Sequence, residues 1–114
     1  MALHHAFSGE LIDIRPLQGD LKTVSTTTLY KSDHLEVFRL VLLAGKGLPD
    51  HRVAGELTVQ CLEGCIEMMA SGRTESMRPG DLMCLAGGVP HALKALEDSS
   101  VLVTLLLHTA QPRP

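Results

Sequence analysis

The sequence predicts an all-β protein, one barrel or sandwich built from short antiparallel strands. Three observations predict it. Short strand-like runs recur along the chain, most of them ending at a cluster of Gly, Pro, Asp or Ser that reverses its direction. No segment after Asp20 sustains the 3.6-residue apolar repeat of a helix. The 114 residues make one compact domain and leave no room for a second.

Taken in order, residues 10–14 alternate weakly and stop at Arg15-Pro16, and residues 16–23 have room for one helical turn. Residues 24–30 are rich in Thr, which suits a pleated surface. Residues 31–34 read as a turn, 34–43 as a strand, and Gly45 to Pro49 as a loop by composition. Strands follow at 56–62, 65–70, 74–77, 82–85, 91–96 and 101–107. The turns between them fall at Glu63-Gly64, Ser71-Gly72, Pro79-Gly80-Asp81, residues 87–90 and residues 97–99. The barrel core is expected over residues 24–108, with residues 1–23 packing on it or on a partner chain.

Composition excludes several functions. The net charge of -3 is scattered, and no Lys or Arg run could follow a phosphate backbone, so nucleic acid is not an expected partner. Aromatics are 3% of the chain and Trp is absent, so the core is expected from Leu, Val, Ile, Met and Ala. The N-terminus lacks a basic segment before a long apolar run and reads as no signal peptide; His4 and His5 are given no role. The longest apolar stretch, residues 101–107, is too short to span a bilayer as a helix. Cys61, Cys65 and Cys84 are odd in number and lack zinc-type spacing, which reads as reduced thiols in a cytoplasmic protein.

The last strand is apolar at both parities, so both of its faces call for burial. The outer one is expected to be covered by a second copy of the chain, as a homodimer. The alternative cover is the N-terminal segment folding over it.

Two stretches resemble the paired motifs of the cupins. The first motif of that family, G-x5-H-x-H-x3–4-E-x6-G, is met by Gly45, His51 and Gly64, with Val53 where the second His belongs and Leu57 where the Glu belongs. The second, G-x5-P-x4-H-x3-N, is met by Gly80 and His91, with Ala86 and Ala95 at the Pro and Asn positions. The resemblance spans residues 36–107. It implies a double-stranded antiparallel β-barrel, the jelly roll, with a pocket inside.

In cupins that carry a metal, the motif histidines and the Glu converge in the barrel, and a catalytic ion wants at least three protein ligands. Carried over residue by residue, only His51 and His91 remain as metal candidates, so no metal or other cofactor is expected. The alternative is a weakly held divalent ion (Fe, Mn, Zn, Ni or Cu). Glu56 would complete such a site only if a bulge at Gly55 turned it inward, because neighbouring strand residues face opposite ways. Cys61 shares the parity of Leu57 and Val59 and would give a His-His-Cys set, or act as a small apolar filler. The alternative roles for the histidines are a shared hydrogen bond or direct contact with a ligand. Met68, Met69, Met77 and Met83 are read as core filler, and Arg39 as solvent-exposed.

The expected site is therefore a pocket lined by His51, Val53, Leu57, Val59, Cys61 and His91, binding a small molecule without catalysis. A metal-dependent oxygenase or isomerase completed by Glu56 or Cys61 is the alternative, and a purely structural dimer is the third reading. The register of the strand holding Glu56 and Leu57 discriminates between the first two.

Overall fold

The computed structural model describes residues 5–107; His4, and residue 108 at the end of the expected core, lie outside the described residues. Nine strands form among the described residues: β1 (Thr27–Lys31), β2 (Leu35–Leu42), β3 (Gly47–His51), β4 (Leu57–Glu63), β5 (Ile66–Ala70), β6 (Arg73–Met77), β7 (Leu82–Leu85), β8 (His91–Ala95) and β9 (Ser99–Leu106). A 3-10 turn at Gln18–Lys22 precedes them, inside the expected helical turn. The strands pair antiparallel in two sheets, β1-β2-β9-β4-β7 and β3-β8-β5-β6. Sheet neighbours are mostly not consecutive in the chain, so the polypeptide passes repeatedly from one sheet to the other. That is a jelly-roll barrel.

Alternation along the strands sets its inside. In β4, Leu57, Val59, Cys61 and Glu63 are buried while Thr58, Gln60 and Leu62 are half-buried. Ile66, Met68, Val59, Val101 and Cys61 are the large apolar side chains sealed completely from solvent, and each such burial contributes about 1.5–3 kcal/mol. Met68 and Met77 are buried and Met83 packs against the core; Met69 is exposed. At the β5–β6 hairpin, Ser71 (φ 53°) and Gly72 (φ 73°) both lie in the left-handed region, as a tight two-residue turn requires.

Two segments differ from expectation. The stretch read as a loop from Gly45 to Pro49 enters β3, an edge strand that pairs only with β8. Proline is tolerated there because an edge strand has one side without ladder bonds, and the register shifts between Leu48 and His51, across Pro49. Gly47 is needed because a Cβ there would overlap the Leu93 carbonyl oxygen.

Residues 10–14, read as a weak strand, form none. Arg39 is also not the solvent-exposed residue expected: it is 5% exposed. Phe38 and Leu40 face the interior, so Arg39 stands on the outer face of β2. Its Nη2 donates to the carbonyl oxygens of Arg15 (3.0 Å) and Asp13 (3.4 Å). The N-terminal segment thus crosses the outer face of the five-stranded sheet as a strap, and its carbonyls serve a guanidinium rather than a neighbouring strand. On β9 the outward Ser100 is buried, whereas Leu106 is 48% exposed.

Candidate functional site

The two motif histidines are direct partners across the β3–β8 pair. Their ring centroids are 4.3 Å apart, with the planes tilted by 56°. His51 is exposed and His91 is 3% exposed. The same local device orients both. His51 Nδ1 lies 3.0 Å from the carbonyl oxygen of Pro49, and His91 Nδ1 lies 2.9 Å from that of Val89. A carbonyl oxygen only accepts, so in each ring Nδ1 carries the hydrogen and donates it. In the neutral rings both Nε2 atoms are left with a lone pair, and neither has a hydrogen-bond partner among the described residues. No hydrogen bond joins the two rings, so the shared bond that a histidine pair might have made is replaced by two separate bonds to the backbone.

Beside the histidines a cavity of about 60 Å³ enters the barrel. His51, Val53, Leu57, Val59 and His91 line it, and so do Phe38, Leu40, Leu48, Leu93, Val103 and Leu105, which the motifs did not point to. Strand parity was the signal that would have found most of them. Leu93 follows His91 by two residues, and Val103 and Leu105 are the β9 partners of Val59 and Leu57.

Cys61 does not line the cavity. It has the inward parity, but it sits further along β4 in the packed core, and its Sγ donates to the Glu63 carbonyl oxygen at 3.5 Å. Burial pushes its thiol up to about 11, which suits a filler rather than a thiolate ligand. Glu56 is exposed and borders a groove with Leu35, Thr58, Cys84, Thr104 and Leu106. Gly55 and Glu56 lie before β4, and from Leu57 to Cys61 β4 pairs with β9 in unbroken register, so Glu56 is not turned inward. Gly55 serves close packing, since a Cβ there would overlap the Leu106 carbonyl oxygen.

Among the described residues no three His, Cys, Asp or Glu side chains come together as a metal-holding group. The Nδ1–H bonds to carbonyls are the arrangement that orients ligand histidines. Yet Val53 and Leu57 fill the positions where further donors would stand, so the residues present do not fit a resident catalytic ion.

The register of β4 does break once, between Cys61 and Glu63, which brings Glu63 opposite Ser100. The Glu63 carboxylate accepts from Ser100 Oγ (2.5 Å) and from the backbone N–H groups of Leu17 (2.7 Å) and Gln18 (2.9 Å). Burial raises its pKa, but these three donors and the nearby Arg39 charge outweigh that and hold it below the ordinary value. Sequence reading assigned Glu63 to a turn. Nothing local to it announced partners 45 residues away.

No protein-family profile matches the chain, and no curated protein matches it in sequence. Solved structures do match. A cupin superfamily protein from Desulfitobacterium hafniense DCB-2 superposes with a TM-score of 0.74 at 16% identity, over 90% of this chain and 100% of that one. The chain has the cupin fold. A conserved protein of unknown function from Streptococcus pyogenes also superposes, with a TM-score of 0.72 at 21% identity, over 96% of this chain and 100% of that chain. The DMSP lyase of Ruegeria pomeroyi DSS-3 is similar over 75% of this chain and 49% of its own, at 25% identity and TM-score 0.65. The neighbours therefore include an enzyme and a protein of unknown function. No helix among the described residues is long and apolar enough to cross a membrane.

Proposed function

We propose that this cupin is a non-catalytic barrel that binds a small molecule in its interior, as a sensor or accessory protein. One observation carries the reading: an apolar cavity whose only polar lining side chains are two histidines with unused Nε2 atoms. Binding pockets are mostly apolar with a few placed polar groups that orient the ligand. The cavity is small beside the roughly 300–1,000 Å³ of drug-sized sites, so the ligand is small or leaves part of itself at the mouth. The three free thiols, two of them buried, fit a reducing cytoplasmic setting. A homodimer through the outer face of the five-stranded sheet is part of the same proposal, since Leu82 (60% exposed) and Leu106 (48%) lie there outside the strap. Sedimentation velocity decides it: a single species at monomer mass across the concentration range rejects the dimer.

A metal-dependent enzyme of the oxygenase or isomerase type is the second reading, favoured by the neighbouring histidine rings alone. Metal content by plasma mass spectrometry separates the two readings. It is measured on protein purified without chelator and then offered Fe(II), Mn, Zn, Ni and Cu. Binding without catalysis predicts metal far below one ion per chain, and thermal-shift responses to small organic molecules. Near-stoichiometric metal that disappears in the His51→Ala, His91→Ala double variant overturns it.

A further inference from the structure

We infer that the molecule held in this cavity is a short aliphatic proton donor, an alcohol or a primary amine, and not a carboxylate. The inference rests on the binding reading above and adds the chemical class.

The backbone imposes it. Val89 and Pro49 each hold one Nδ1–H, which leaves His91 and His51 to present lone pairs at Nε2 while both rings are neutral. The ring centroids are 4.3 Å apart and both rings line the same cavity, so the two acceptors belong to one site. A ring nitrogen that offers only a lone pair repels an anion, whereas an O–H or N–H donor satisfies it. No Lys or Arg lines the cavity to hold a carboxylate.

The remainder of the wall selects an apolar body. His51 is exposed at the mouth, and Val59 and Val103 are buried within, at 1% and 5% exposure. A ligand therefore enters alkyl end first and leaves its donor at the histidines. Size follows from volume. At about 30 Å³ for each water-sized group, a cavity of about 60 Å³ holds about two such groups, so the alkyl body is short and the donor sits at the mouth.

Matched three-carbon probes test the class. 1-Propanol, n-propylamine and propionate are titrated into the full chain at pH 8 with EDTA present, so that no adventitious divalent ion bridges ligand and protein. The methyl resonances of Leu57, Val59 and Val103 report occupancy, and long-range proton–nitrogen spectra report the tautomer of each histidine. The expected result is Nδ1–H in both rings, saturable methyl shifts with the alcohol and the amine, and propionate weaker by about tenfold or more. His51→Leu, at an exposed position that the fold tolerates, is expected to weaken propanol toward the level of propionate. Propionate binding as tightly as propanol, or an Nε2–H tautomer in either ring, overturns the inference and leaves the binding reading standing. No methyl response to any of the three probes overturns both.

Discussion

Ser100 donates its hydroxyl hydrogen to the Glu63 carboxylate across the β4–β9 pair, at the one place where that ladder is bulged. The same carboxylate ties down the strap through Leu17 and Gln18. Barrel end and N-terminal segment are therefore joined at one buried charge.

That charge sets an acid limit. Glu63 has a folded-state pKa held below the ordinary 4.5, so the unfolded chain binds the extra proton more readily. Its stabilisation is fully present above pH 4.5 and is lost as the pH falls through the depressed folded value. Chemical denaturation between pH 3 and 7 should show stability dropping below about pH 4.5. Glu63→Gln should cost about 1–3 kcal/mol at pH 7 and flatten that drop, because its NH2 group would oppose the donors the carboxylate now accepts. An unchanged acid limb in the variant would assign the drop to other carboxylates.

Gly64 follows at φ +83°, and a Cβ there would overlap Ser99 Oγ and the Asp98 carbonyl oxygen. Gly64→Ala combines backbone strain with a clash against main chain, and should cost about 2–4 kcal/mol in urea denaturation. Gly9 also lies in the left-handed region, but nothing stands within 4 Å of where a Cβ would be, so Gly9→Ala should cost clearly less.

The thiols should separate by access. Cys84 is exposed while Cys61 and Cys65 are buried, and burial also keeps Cys61 protonated well above neutrality. A thiol reagent at pH 8 should label only Cys84 in the native chain, promptly in the monomer and more slowly where the proposed dimer covers its face, and the other two only after unfolding, as read by peptide mapping. Prompt labelling at Cys61 would contradict the packed core around it.

The histidine pair should be unequal in stability. His91→Ala removes a buried ring and its bond to Val89, and should cost about 1–3 kcal/mol. His51→Ala removes an exposed ring and should stay within about 0.5 kcal/mol, measured by the same denaturation. Equal losses would mean that the two rings support the fold as a unit.

Much of the barrel was legible because its signals are local. The strand-turn rhythm located most of the strands, and the parity of Leu57, Val59 and His91 put them inside. Parity also settled that Leu57, not Glu56, faces the interior, since only a bulge at Gly55 would have reversed it. The β3 strand was misread because Gly and Pro signal a loop locally, whereas the edge position that tolerates them exists only once β8 is beside it. Cys61 was misplaced for a related reason: parity tells which face a residue takes but not how far along the barrel the open space extends.

By itself, then, the sequence determined an all-β jelly roll, the two histidines near its pocket and the apolar residues that replaced further metal donors. Those are properties of composition, period and spacing. Tertiary structure alone decided that both Nδ1 atoms are taken by the backbone, that the cavity stops short of Cys61, and that Glu63 and Arg39 hold the strap. Each of these depends on atoms brought together from distant parts of the chain, and no local pattern of residues encodes such a distance.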